Sequence, residues 1–336
     1  PLDLPFWAAV LVAVLLIWVY TFRSGIKTII WTDTLQTASM LLAVVVTIFV
    51  IKDAMGWGMG EMVTAIKGSE YSKWFFFDDV DDNKYFFKQF LAGMFITISM
   101  TGLDQDMMQK NLSCKNLKEA QKNMLWFSIV LVGANVLFLS LGALLYLFAG
   151  ETGFDPSTGG DQLYPALALS GELGWTAAVL FIVGLVAAAY SSADSALTAL
   201  TTSFCVDFLG MESNPKESDK RTRKWVHIGF TFLLFGVIMV FQTLNDDSVI
   251  AELFKVAGFT YGPLLGLYAF GLFTKRRVVD RAVPFIAVAA PMVCYVLQSY
   301  SEVWFNGYKI GFELLLINGV ITGIGLFAFS SRSNAS

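Results

Sequence analysis

The chain has 336 residues, of which 56% are apolar and 15% charged, and its mean hydropathy is +0.62. Soluble domains carry about 25% charged residues, so this composition excludes a soluble enzyme and a disordered chain. The net charge of −4 offers no basic face for phosphates, which excludes a nucleic-acid binder. Three scattered cysteines and one histidine argue against a disulfide framework and a histidine-based metal centre.

Nine long apolar segments dominate the sequence, and each is long enough to cross a bilayer, which takes about 20 residues of helix. In chain order they are roughly 5–22, 29–51, 86–103, 123–149, 174–208, 224–243, 254–273, 281–299 and 310–330. They predict an all-α polytopic membrane protein with a single transmembrane domain over residues 1–336.

The loops between these segments alternate in charge. The basic ones are 23–28, 104–122, 209–224 and 274–281, whereas 52–85, 150–163, 244–253 and 300–309 are acidic or mixed. Cytoplasmic loops are enriched in Lys and Arg. The alternation therefore predicts a protein of the cell membrane with its N-terminus outside and its C-terminus in the cytoplasm.

Three segments depart from a simple span. The loop 52–85 is long and aromatic, which predicts a short interfacial helix. The fifth segment reaches from Trp175 to Leu209, about 52 Å of helix, so it must tilt, break or project from the bilayer. The third ends in the polar run 97–106, either a frayed exit or a broken helix that lines a solute cavity.

Two aspartates lie within predicted spans, where ionisable groups are costly and mark candidate functional sites. Asp33 lies in the second span and Asp194 in the fifth. Positions 188, 191, 192 and 195 form one helical stripe of Ala, Ser, Ser and Ser, which indicates either close helix packing or an oxygen-lined cation site. The adjacent Asp194 favours the cation. Asp33 alone also fits an interfacial position near Lys27.

Four stretches in chain order resemble motifs of the sodium/solute symporter family, which includes sodium/glucose, sodium/proline and sodium/sialic acid cotransporters. They are Trp31-Thr-Asp33-Thr-Leu-Gln36, Asp104-Gln105 through Lys110 to Asn116, Ala188 to Ser195, and Gly262-Pro263 through Lys275-Arg276. The resemblance implies a LeuT-like fold of two inverted five-helix repeats. Residues 1–51 would then end the first repeat, 86–273 form the second and 281–330 add peripheral helices. On this alignment we expect an N-terminally truncated chain that lacks the first three core helices.

The resemblance also implies where sodium binds. The conserved ion of the family would take the carbonyl of Ala188 and the hydroxyls of Ser191 and Ser192. Some members bind a second sodium ion, whose site maps onto Asp33, Ser191, Asp194 and Ser195. We therefore expect Na⁺ as the coupling ion, with one site and a plausible second one.

The solute side departs more from the family pattern. The expected solute-binding positions are Thr97, Met100, Thr101, Asp104, Gln105 and Leu131. Sugar-transporting members carry a lysine where this chain has Leu131, and aromatic residues where it has Met100 and Thr101. A glucose-type pocket is therefore disfavoured, and the solute is expected to be another sugar, a sugar acid or a carboxylate.

These observations predict a sodium-coupled symporter for a small polar solute, working by alternating access. Its expected partners are sodium ions, the solute and the lipid bilayer, with no nucleic acid, no obligate protein partner and no enzymatic activity. A symporter-like solute sensor is one alternative. An intramembrane aspartyl protease using Asp33 and Asp194 is another, although the sequence lacks the Gly-x-Gly-Asp motif expected of it.

Overall fold

The structure is a computed structural model that describes residues 5–21, 26–82, 84–154, 160–211, 217–244 and 249–332. Parts of the predicted loops 23–28, 150–163, 209–224 and 244–253 lie outside these ranges. The described chain is almost entirely helical. Its α-helices are α1 (Phe6–Thr21), α2 (Ile26–Ala54), α3 (Met59–Gly68), α4 (Phe86–Gly102), α5 (Gln105–Leu112), α6 (Leu117–Thr152), α7 (Leu163–Ser170), α8 (Gly174–Ser203), α9 (Glu217–Leu244), α10 (Val249–Phe273), α11 (Val283–Ser299), α12 (Ser301–Trp304) and α13 (Leu314–Ala328).

Each of the nine predicted segments coincides with one of these helices. Among the described residues, six helices are long and apolar enough to span a membrane: α2, α6, α8, α9, α10 and α11. The pair α4 and α5 makes a seventh when counted as one bent span, and α1 and α13 are shorter apolar helices. The prediction of an all-α polytopic membrane protein is confirmed.

The unusual features of the predicted segments also have structural counterparts. The loop 52–85 contains the helix α3, as expected, and its interfacial position stays a prediction. The long fifth segment breaks its regular geometry at its end, where α8 passes into a π-helix over Phe204–Phe208. At the end of α4, the chain bends by 59° before α5 begins, so the polar run is a broken helix and not a frayed end.

The helices cluster into two compact units, each assembled from two stretches of chain. Unit 1 comprises Pro1–Ser72 and Gln109–Asp246, and unit 2 comprises Lys73–Met108 and Asp247–Ser336. The division of the chain into inverted repeats stays a prediction.

Unit 1 is built on the pairing of α2 with α8. Gly184 allows these helices to approach closely, because a Cβ atom there would lie 3.1 Å from the Cβ of Ala43. A hydrophobic core contributed by α2, α6 and α7 supports the pair, and it includes Ile51, Leu144 and Leu167, each fully shielded from solvent. This packing fixes the register of α2 against α8 along the faces that carry Asp33 and the serine stripe.

Unit 2 is built on the pairing of α10 with α13. Pro263 lies inside α10 and has no N–H to bond the carbonyl of Phe259, one turn earlier. The Asn318 side-chain amide supplies the missing donor, with Nδ2 at 3.1 Å from the Phe259 oxygen and 3.0 Å from that of Gly258. The strand β1 (Arg276–Val278) follows α10 and the strand β2 (Ser330–Arg332) follows α13, and the two strands pair in an antiparallel sheet.

A half-buried polar cluster anchors the loop before α13 to the start of α4 within unit 2. The Nζ atom of Lys88 lies 3.6 Å from Oε1 of Glu313 and 3.9 Å from the ring centroid of Tyr308. The Tyr308 hydroxyl donates to the same carboxylate at 2.9 Å. Burial first, and then the hydrogen bond and negative charge of Glu313, raise the pKa of Tyr308.

Candidate cation site

The carboxylate of Asp33 on α2 meets the hydroxyl face of α8. Ser191 donates to Oδ1 of Asp33 at 2.7 Å, and Ser195 donates to Oδ2 at 3.4 Å. Ser191 and Ser195 are four residues apart, so both hydroxyls emerge on one face of the helix. The structure therefore brings together three of the four residues expected at the second sodium site.

A lysine completes this cluster. The Nζ atom of Lys110, in the last turn of α5, lies 3.0 Å from Oδ2 of Asp33 and 3.0 Å from Oγ of Ser195. Its side chain is 29% exposed and that of Asp33 is 17% exposed. We call Asp33, Lys110, Ser191 and Ser195 the Asp33 cluster. It holds a cation against the Ser195 hydroxyl and the Asp33 carboxylate, and that cation is part of the chain.

From the sequence, Lys110 is assigned to the basic loop 104–122 and to a family motif, but to no ion site. A carboxylate within a membrane span requires a partner, and Lys110 belongs to the same motif stretch as Asp104. Those two facts together could have predicted that Lys110 pairs with Asp33. The other interpretation of Asp33 is an interfacial position near Lys27, whose side chain lies outside the described residues.

The other residues expected to bind sodium also lie on α8. Asp194 is fully buried and follows Ser191 by three residues. Ser192 is exposed, and Ala188 is half-buried. Ala188 borders an apolar cavity of about 190 Å³ between α2, α6, α7 and α8. The groups expected at the first sodium site thus follow one another along α8, beside the Asp33 cluster.

The chemistry of these groups suits a hard monovalent cation. Carboxylate, hydroxyl and carbonyl oxygens are the ligands that such ions prefer, whereas transition metals favour imidazole and thiolate. Over the described residues, no group of three or more His, Cys, Asp and Glu side chains is placed to hold a metal ion.

The expected solute-binding residues of unit 2 gather around the break between α4 and α5. Thr97 is exposed, although its hydroxyl donates to the carbonyl of Gly93 in its own helix at 2.8 Å. Met100 is half-buried and packs against the apolar core of unit 2. Thr101 is half-buried and Gln105 is exposed. Thr97 and Gln105 are therefore the most accessible polar groups of the set.

Asp104 holds the break in place. Its Oδ1 accepts from the backbone N–H groups of Asp106 at 3.0 Å and Met107 at 3.2 Å, which caps α5. Its Oδ2 accepts from the Tyr261 hydroxyl of α10 at 3.1 Å. Both carboxylate oxygens thus have partners within unit 2. Tyr261 had no sequence signal, because its partner lies 157 positions away.

Leu131, the last of the expected solute-binding residues, belongs to unit 1. Its side chain lies on α6 and is 45% exposed. An aliphatic side chain offers a solute apolar contact and no hydrogen bond.

Bundled apolar helices, one of them broken, and a carboxylate held by hydroxyls within a span define a multi-pass membrane protein of the LeuT-like transporter fold. A solved structure of this fold, a substrate-bound outward-open Na⁺-coupled sialic acid symporter, superposes with a TM-score of 0.75. The match covers 97% of this chain and 67% of that one at 19% identity. The profile of the Sodium:solute symporter family matches residues 2–282, and the chain belongs to this family.

Several characterised transporters are similar in sequence. The sodium/sialic acid symporter NanT of Aliivibrio fischeri is 23% identical over 334 residues, covering 95% of this chain and 64% of the relative. SiaT of Proteus mirabilis, another such symporter, is 24% identical, with coverages of 93% and 64%. The sodium-coupled monocarboxylate transporter 2 of Bos taurus is 26% identical, with coverages of 79% and 44%. The chain thus spans less than two thirds of the length of these relatives.

Proposed function

We propose that the protein is a sodium-coupled symporter that moves a small polar organic solute across the cell membrane by alternating access. The observation that carries this proposal is the Asp33 cluster, a carboxylate on α2 held by the hydroxyls of α8 in a LeuT-like fold. The family of the chain and the sodium coupling named for its relatives support it.

The first sodium ion takes the carbonyl oxygen of Ala188 and the hydroxyl oxygens of Ser191 and Ser192. The small side chains of this stripe support the assignment, because they leave room for an ion beside the helix backbone. Ser191 donates its proton to Asp33, and its oxygen lone pairs are then available to a cation. The Asp33 carboxylate thereby orients one ligand of the first ion.

Asp33, Ser191, Asp194 and Ser195 form a second cation position. Its support is the geometry of the Asp33 cluster, in which a positive charge already lies within hydrogen-bond distance of Asp33 and Ser195. The fully buried Asp194 adds a second carboxyl group to the same stretch of α8.

The solute is a small molecule that bears a carboxylate, such as a sugar acid or a monocarboxylate. The relatives described above act on sialic acid and on monocarboxylates, which are both of this class. The Thr101 hydroxyl and the Gln105 amide are suited to donate to a carboxylate, and Met100 supplies apolar contact. The Thr97 hydroxyl donates to Gly93, so it offers the solute an oxygen acceptor. Asp104 orients α5 and acts on the solute through the helix break.

Sodium drives the cycle through its preference for one conformation. An ion that binds the outward-open form more tightly than the inward-open form shifts the population towards the former. Entry of the ion down the membrane potential contributes about 2.3 kcal/mol per charge for each 100 mV. A solute with one negative charge cancels this contribution for a single sodium ion, so the sodium concentration gradient drives uptake. Each tenfold ratio of sodium then supplies about 1.4 kcal/mol, which supports about one decade of solute gradient.

Proteolysis by Asp33 and Asp194 is not supported by the geometry. An aspartyl protease requires two carboxyl groups that share one proton. In this chain, Ser191 occupies one Asp33 oxygen, and Lys110 and Ser195 occupy the other.

The sodium site is tested by sodium-dependent uptake of labelled sialic acid and lactate into proteoliposomes. We expect the double variant Ser191→Ala/Ser192→Ala to raise the sodium concentration for half-maximal uptake at least tenfold. The control is Ser140→Ala, since the Ser140 hydroxyl donates to the carbonyl of Val136 in its own helix. Unchanged sodium dependence in the double variant would remove the α8 hydroxyls from the ion site.

A further inference from the structure

The second cation position of the proposed symporter already holds a charge. The ammonium group of Lys110 lies 3.0 Å from Asp33 and 3.0 Å from Ser195, and these are two of the groups that would coordinate the second sodium ion. An ammonium group donates hydrogen bonds to the same oxygen lone pairs that an alkali ion would coordinate. Lysine is a compact point charge on a flexible stem, so its head group resembles a small cation in size and charge.

Sodium and the Lys110 ammonium group cannot share this position. An ion coordinated by Asp33 and Ser195 would lie in direct contact with the Lys110 nitrogen, and two like charges at that separation repel strongly in a partly buried site. The pair is sheltered from water, with exposures of 29% and 17%, so solvent screens this repulsion only in part.

The ammonium group of Lys110 also neutralises the charge of Asp33 already. A carboxylate within a span is costly until a positive charge is paired with it. With Lys110 in place, Asp33 needs no second ion, and its Oδ1 remains bonded to Ser191. The Asp33 cluster can therefore orient the first-site ligand Ser191 without binding sodium itself.

We propose that Lys110 is a built-in cation that occupies the second position and keeps sodium out of it, so that one sodium ion accompanies each solute. This inference rests on the proposed function and makes Lys110 a determinant of the coupling stoichiometry. Removal of the lysine charge opens the position to a second sodium ion.

The test is the number of ²²Na⁺ ions bound at saturation by the purified full-length protein, a measurement that needs no knowledge of the solute. We expect about one ion in the unmodified protein and about two in Lys110→Met. Lys110→Arg keeps the charge and is expected to bind about one. The matched control is Lys115→Met, since Lys115 is an exposed lysine of the same basic loop.

A second variant separates occupation of the site from a general effect on folding. In Lys110→Met/Asp33→Asn both charges of the pair are gone, and we expect the stoichiometry to return to about one. About two ions in the unmodified protein, or about one in Lys110→Met, would overturn the inference. If Lys110→Met does not fold, Lys110→Gln is measured with the same expectation of about two ions, and about one ion in it would overturn the inference.

The same ²²Na⁺ counts separate a failure of this inference from a failure of the proposed function. Binding of no sodium by the unmodified protein and by every variant would contradict sodium coupling itself. Binding of one ion throughout would leave sodium coupling intact and reduce Lys110 to a structural ion pair.

Discussion

Removal of the charges of the Asp33 cluster one at a time and then together measures how strongly Asp33 and Lys110 interact. Lys110→Met removes the positive charge beside the Asp33 carboxylate, and Asp33→Asn removes the negative charge that lies 3.0 Å from the ammonium group. Each single change should lower the free energy of unfolding. The double variant should lose less than the sum of the two, because neither partner of the pair then stays charged without the other.

The magnitude follows from the exposure of the pair. Solvent-exposed ion pairs contribute about 0–1 kcal/mol, and breaking a fully buried pair costs about 3–5 kcal/mol. With side chains 29% and 17% exposed, this pair lies between the two limits, and we expect a coupling energy of about 2 kcal/mol. The chain offers a matched comparison in Lys73 and Asp78, which are 2.7 Å apart and 50% and 80% exposed. For that pair we expect about 0–1 kcal/mol.

The assay is a double-mutant cycle on the free energy of unfolding, measured by titration with dodecyl sulfate, added as its choline salt, in mixed micelles. Choline replaces sodium in the buffer, so that no ion enters the vacated position and stabilises Lys110→Met by mass action. Additive effects of Asp33→Asn and Lys110→Met would refute the reasoning. They would mean that the observed ion pair contributes no more than a surface contact.

Two further predictions concern unit 2. Gly262→Ala should lower the free energy of unfolding by about 1–3 kcal/mol, because the new Cβ would lie 2.5 Å from the Cβ of Asn318. The control is Gly271→Ala, where a Cβ would have no neighbouring atom within 4 Å. Equal losses in the two variants would contradict the close packing of α10 against α13. Stability should also fall as the pH rises above about 10, the ordinary pKa of tyrosine, because the folded state keeps Tyr308 protonated beside Glu313 while the unfolded state releases the proton. Tyr308→Phe should remove this part of the pH dependence in unfolding titrations between about pH 9 and 11, and an unchanged slope would contradict it.

The helices were predictable because hydropathy is a local property of the sequence. All nine segments coincide with helices, and the polar run after residue 96 marks the break between α4 and α5. The positions at which the helices begin and end were harder to predict. The sixth helix begins at Leu117, where Asn116 accepts from the backbone N–H of Glu119, although the apolar segment begins only near 123. Hydropathy marks the part of a helix that is apolar, whereas capping marks where the helix starts.

The candidate site was predictable only where family motifs supplied its residues. Asp33 and the serines of α8 each lie in a recognisable stretch, so their meeting was expected. Lys110 and Tyr261 pair with aspartates that are 77 and 157 positions away. No periodicity in a single sequence encodes such a contact, which depends on how separate helices pack.

The central claim is that a sodium gradient drives the solute across the membrane. Its most direct test is accumulation of labelled sialic acid or lactate in proteoliposomes that contain the full-length protein, with sodium supplied only outside. We predict transient accumulation above the external concentration, abolished by a sodium ionophore and absent when sodium is equal on both sides. Accumulation that persists with the ionophore would contradict the account. It would also be contradicted if every solute in a panel of carboxylate-bearing molecules entered the proteoliposomes no faster than it enters protein-free liposomes.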